Sequence, residues 1–149
     1  MHNSRNTKGI IRIVDANINR AKEGLRVCEE IARFILASRS LTLELKRTRH
    51  RIDAILKYLP KRAILIRERE SLNDVGRDIV LNELKRRDYQ DIFFANMQRV
   101  KESIRVLEEF TKLINKNIAL EFKKTRYSIY EIEKKATARI AAVKSHRKI

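Results

Sequence analysis

The chain has 149 residues, 35 Lys and Arg against 19 Asp and Glu, and a formal net charge of +16. That length suits a single domain with one core and is short for two, while three glycines and one proline are too few for the tight turns of an all-β fold. The single cysteine, Cys28, excludes an internal disulfide and a multi-cysteine metal site. No apolar run reaches membrane-spanning length and no secretory segment is visible, so the protein is expected in the cytoplasm, without a membrane partner. The positive excess attracts polyanions, which keeps nucleic acid and phosphorylated small molecules open as partners.

Apolar spacing predicts a first helix over about Ile10 to Leu36, with Val14, Ile18, Ala21, Leu25, Cys28, Ala32 and Ile35 in one stripe. Val27, Ile31 and Phe34 widen the stripe, and Asn19, Lys22, Arg26, Glu29 and Arg33 fall opposite it. Ala37 to Ser40 reads as a turn. A second helix then carries Leu41, Leu45, Thr48, Ile52, Ile55 and Leu59 along a heptad-like seam, and Pro60 stops it.

The same pattern returns. Residues 16–30 align without gaps on residues 95–109 with nine of 15 positions identical, and "LELKRTRHRI" (43–52) matches "LEFKKTRYSI" (120–129). In the second copy the seam residues are Met97, Val100, Ile104, Leu107, Thr111 and Ile114, then Ile118, Phe122, Thr125, Ile129 and Ile132. Asp88 and Asp91 are the expected N-terminal caps or dipole partners of its first helix. The fold class is therefore all-α: one helical bundle of two pseudo-repeated hairpins, packed about a pseudo-twofold axis. Repeat one spans about 10–59, a connector 60–87, repeat two about 88–135, and a basic tail 136–149. From Lys134 onward the chain has six Lys or Arg and no acid, which reads as a solvated last helix.

Polar residues also recur. Asn17, Arg20 and Gly24 lie along the edge of the first stripe, and Asn96, Arg99 and Ser103 take the same places in copy two. Arg49 and Arg126 border the second-helix seam in each copy. Two readings stand: interhelical hydrogen bonds and salt bridges with Glu23 and Glu102 as counter-charge, or a polar pocket in which the small residue leaves room for a ligand. Between the hairpins, "RERESLNDVGRDI" (67–79) breaks around Asp74-Val75-Gly76. Such a loop can offer backbone N–H groups to phosphate, with Arg69 or Arg77 as fork donors and Asp74 as a magnesium ligand; it also reads as a plain connector. The preceding Ala63–Ile66 is a short apolar run. Neither GxxxxGK[ST] nor GxGxxG occurs, and the three histidines are scattered.

Taken in order, "RIVDANINRAKEGLRVCEEIARF", "LKRTRH", "RESLNDVG", "ANMQRVKESIRVLEEFTKL" and "KKTRYSIYEIE" closely resemble the helical hydroxymethylpyrimidine-phosphate kinase family of thiamine biosynthesis. The likeness covers about Ile10 to Lys135. That domain also occurs fused in front of thiamine-phosphate synthase, whose barrel this chain is too short to contain. The resemblance implies transfer of the γ-phosphoryl group of ATP to 4-amino-5-hydroxymethyl-2-methylpyrimidine phosphate, with Mg2+. For that chemistry, polarity, repetition and membership of the motifs make Asn17, Arg20, Arg49, Gly76, Asn96, Arg99 and Arg126 the expected phosphate and base ligands, and give Arg69 and Asp74 the expected catalytic role. Asp74 is the expected metal carboxylate, with Glu23 or Glu102 as second choice. The family's Asp-Val-Gly is commonly followed by Thr, where this chain has Arg77. The alternatives are a non-catalytic partner of a separate thiamine-phosphate synthase and a basic nucleic-acid-binding module. A homodimer is also compatible with the sequence.

Overall fold

The computed structural model describes residues 2–59, 71–74, 76 and 84–146. Among the described residues the fold has four long helices, α1 (His2–Glu30), α2 (Arg39–Leu56), α3 (Tyr89–Thr111) and α4 (Lys116–His146), and a short 3-10 turn at Ser71–Asn73. No strand occurs among the described residues, and none of their helices is long and apolar enough to cross a membrane.

The two hairpins are α1–α2 and α3–α4. Helix α1 packs on α2 and α3, and α4 packs on α3 and α2, which closes a four-helix ring. Gly24 meets Asn96 and Val100, and the Cys28 thiol donates to the Phe93 carbonyl at 3.6 Å, so α1 and α3 run antiparallel. Helices α2 and α4 are also antiparallel, since Arg51 pairs with Glu121 and Glu44 with Lys135. The order is up-down-down-up, as in bundles with a long crossover connection. The end of α2 and the start of α3 therefore lie at opposite ends of the bundle.

The predicted stripes form the core. Val14, Ile18, Ala21, Leu25, Cys28 and Ala32 are buried against Leu45, Ile52, Met97, Ile104, Leu107, Phe122 and Ile129. Burial, with a smaller contribution from the Glu133 carboxylate, pushes the Cys28 thiol up to about 12. It is a neutral core residue.

Each hairpin turns on a capping side chain at the equivalent place. Ser38 Oγ accepts from the Leu41 N–H at 3.4 Å, and Asn115 Oδ1 accepts from Asn117 and Ile118 at 2.8 and 3.4 Å. Asp88 caps α3, accepting from Gln90 and Asp91, both at 3.0 Å, while Asp91 in the first turn pairs with Arg87.

The structure corrects two expectations. Helix α1 ends in a π-helical turn, Ile31–Ile35, in which the Leu36 N–H reaches back to the Ile31 carbonyl at 3.0 Å, and Ala37 then takes φ 49°. That wider turn rotates the register, so Phe34 and Ile35, expected in the stripe, are exposed, and Leu36 is buried instead. Ile114, expected on the second seam, falls in the turn after α3 and is exposed in part. The basic stretch beyond 135 is helical and mostly exposed, as expected. Helix α4 continues to His146, with Ala136 and Ile140 in the core and Arg139 donating to the Leu36 carbonyl at 3.1 Å. The basic stretch is therefore anchored by its apolar face.

Candidate functional site

The four repeated arginines separate into two kinds. Arg49 Nε donates to Glu29 Oε2 at 3.1 Å, and Arg126 Nε donates to Glu108 Oε2 at 2.9 Å. Arg26 and Arg105 donate to the second oxygens of the same carboxylates at 3.5 and 3.3 Å. Glu29 and Glu108 are 5% and 4% exposed. Each hairpin thus holds one desolvated carboxylate between two guanidinium groups, and the arrangement is duplicated. The Tyr130 hydroxyl, accepting at 3.1 Å, and the Glu108 carboxylate drive Arg126 further into its charged form. Its guanidinium also lies over the Tyr127 and Tyr130 rings.

Arg49 and Arg126 are therefore interhelical struts. The expected counter-charges, Glu23 and Glu102, do not fill that role: both are exposed, and Glu102 accepts from Gln98 within α3. Glu29, whose repeat counterpart is Glu108, had fallen on the outer side of a single-helix projection. They are buried because the second helix of each hairpin covers that flank.

Arg20 and Arg99 are exposed. Among the described residues, Arg20 reaches only Asn17 Oδ1 on its own helix, at the long distance of 3.5 Å. Asn17 and Asn96 each donate their amide to the carbonyl one turn back, Ile13 and Ile92, at 2.8 Å. This fixes both side chains and leaves each amide oxygen as an acceptor. Arg20 lies one turn before Gly24, and Arg99 lies between Asn96 and Val100. The bases of both arginines therefore flank the same α1–α3 crossing.

Gly24 does not leave room for a ligand. A Cβ there would lie 2.7 Å from Val100 Cγ2 and 3.0 Å from the Asn96 carbonyl oxygen. The missing side chain lets α1 and α3 approach. Its counterpart Ser103 is buried and donates its hydroxyl to the Arg99 carbonyl at 2.6 Å. Gly24→Ala is expected to cost about 1–3 kcal/mol in a denaturant titration, the usual range for overpacking a tight contact. An unchanged midpoint would show that the crossing is loose.

Asp74 is exposed, and its Oδ1 accepts from the Gly76 N–H at 2.9 Å. The Gly76 amide expected to face a phosphate is thus satisfied by its own loop, as in an Asx-turn. Among the described residues, the second oxygen of Asp74 has no partner. Among the described residues no three His, Cys, Asp or Glu side chains converge as metal ligands. A Mg2+ on Asp74 would therefore draw its other ligands from phosphate and water, as this ion commonly does. Arg69, Arg77 and the run 63–66 lie outside the described residues.

One buried carboxylate went unread in the sequence: Asp15, 7% exposed, where copy two has Phe94. The visible signal is the charge change between the copies.

Fold and polar framework together define a duplicated, basic four-helix bundle with paired Asn and Arg side chains at the crossing of its repeat-related helices. Residues 12–135 match the ThiD2 family, and the chain belongs to that family. It is 39% identical over 125 residues to a thiamine-phosphate synthase of Nostoc punctiforme, a match covering 83% of this chain and 34% of the relative. A Synechocystis protein of the same name is 40% identical, with 83% and 35% covered. The Rhodopirellula baltica thiamine-phosphate synthase is 38% identical, with 83% and 33% covered. The chain thus spans about a third of the length of the curated relatives it matches. No solved structure matches it. The family read from the motifs is the family found, and the domain occurs within longer thiamine-phosphate synthase chains.

Proposed function

We propose that the protein acts in thiamine biosynthesis as an ATP-dependent kinase that converts 4-amino-5-hydroxymethyl-2-methylpyrimidine phosphate to the diphosphate. The observation that carries this is family membership over 12–135, supported by relatives named for thiamine-phosphate synthesis. In the reaction an oxygen of the acceptor phosphate bonds to the γ-phosphorus of ATP, the β–γ bridge breaks, and ADP leaves. The acceptor oxygen is already anionic, so alignment and charge neutralisation are the main needs.

The side chains suited to that work are those the scaffold does not consume. Arg20 and Arg99 supply exposed guanidinium groups at one helix crossing, and Asn17 and Asn96 supply fixed acceptors for ring or exocyclic N–H groups. Asp74, with one carboxylate oxygen outside its turn, would hold Mg2+, which would neutralise developing phosphate charge. Arg69 joins this assignment from the sequence alone.

The test is incubation with the pyrimidine monophosphate, ATP and Mg2+, followed by mass spectrometry for the diphosphate. Product from the native protein, sharply reduced in Asp74→Asn, is expected. No product from folded protein beside an active control kinase would reject the kinase. A second reading, a non-catalytic partner of thiamine-phosphate synthase, is favoured by the domain's occurrence within those longer chains; it requires complex formation without ATP turnover.

A further inference from the structure

The duplication provides an internal comparison for one carboxylate. Glu121 on α4 has both oxygens engaged: Lys124 donates to Oε1 at 3.1 Å and Arg51, from α2, to Oε2 at 3.5 Å. Its repeat counterpart on α2 is Glu44. Lys135 donates to Glu44 Oε1 at 2.6 Å, but Oε2 is buried and has no hydrogen-bond partner. The residues that pair Glu121 are replaced around Glu44. Ser128 stands where the alignment calls for the counterpart of Arg51, and its hydroxyl is turned to the Lys124 carbonyl. Arg47 stands in place of Lys124 and makes no ion pair among the described residues.

Exchanging an arginine for a serine opens space. An open groove of about 340 Å³ runs between α2 and α4, lined by Glu44, Arg47, Thr48, Arg51, Ser128 and Glu131; Arg51 is held by Glu121, so Arg47 is the unengaged guanidinium there. A buried carboxylate oxygen without a donor is costly, roughly 1–3 kcal/mol or more for a charged group. Glu44 lines the groove, and its carboxylate torsion is soft, so rotation about it exchanges the oxygen held by Lys135 with the unpartnered one. Glu44 and Arg47 stand three residues apart on one helix, which sets their Cβ atoms about 5–6 Å apart.

We propose that this α2–α4 groove binds a small phosphorylated amine, its ammonium or amino N–H on Glu44 and its phosphate on Arg47. The groove lies between α2 and α4, whereas Arg20 and Arg99 flank the α1–α3 crossing, so the proposal is independent of the kinase assignment. The smallest molecule with both groups at that spacing, 2-aminoethyl phosphate, is the probe.

Titration of the whole protein, followed by the amide resonances of Ser128 and Ile132, is expected to show saturable shifts. Glu44→Gln and Arg47→Ala weaken binding about tenfold each, the scale of one charge-assisted contact, and Glu30→Gln, on α1 and outside the groove, leaves it unchanged. Ser128→Arg restores the missing donor, abolishes binding and raises the melting temperature. Ethylamine and inorganic phosphate bind more weakly than the molecule that joins them. A dissociation constant weaker than about 10 mM, or equal affinity in Ser128→Arg, would overturn the proposal. The first result is also the one expected if Arg47 already closes on Glu44 in solution.

Discussion

Arg20→Ala and Arg99→Ala are each expected to lower kcat of the proposed kinase by about 10²–10³, the scale lost when one donor to a developing oxyanion is removed. Melting temperature and helical content should stay nearly unchanged. The stability half follows from geometry: both residues are exposed, and among the described residues Arg20 makes only a 3.5 Å contact within its own helix. Surface substitutions of that kind stay within about 0.5 kcal/mol. The activity half follows from a single site shared between the repeats, with both arginines beside one crossing. Either variant retaining full turnover in a folded protein would end the shared-site assignment. Circular dichroism and steady-state kinetics on the same preparations decide it.

The opposite outcome is expected for the buried struts. Glu108→Ala should destabilise the fold by about 3–5 kcal/mol, the usual cost of stranding one partner of a buried ion pair. It leaves Arg126, only 14% exposed along its side chain, without its carboxylate, and Tyr130 supplies no compensating charge. Removing both partners in Glu108→Ala/Arg126→Ala should recover part of the loss, because the stranded charge goes too. Glu29→Ala should behave in the same way through Arg49. Midpoints of urea unfolding read both effects. A loss below about 1 kcal/mol in Glu108→Ala would place the pair among ordinary surface bridges. Together the predictions separate two classes of arginine that one duplicated sequence pattern presents alike.

Much of the fold was legible in the chain because helical periodicity is local. Each stripe needs only a spacing of three and four residues, and duplication doubled the signal: the buried seams of α2 and α4 fall where the apolar residues predicted. Where the reading failed, the cause was a departure from regular geometry. The π-turn at Ile31–Ile35 carries Phe34 and Ile35 outward, and no residue type announces such a turn. The last helix was read as solvated from its charge, and the spacing of Ala136 and Ile140 adds the apolar face that anchors it.

For the polar residues, the sequence by itself determined which ones repeat, and therefore which places the architecture uses twice. It also determined the family, since an ordered set of motifs is a property of the chain. Only the tertiary structure decided what each repeated residue does. Glu29 and Glu108 are desolvated by a neighbouring helix that a single-helix projection leaves out, and Gly24 is small because α3 passes within contact distance. Charge and size are written in the chain. Burial and close approach arise between helices, and they separate a strut from a free guanidinium and a packing contact from a pocket.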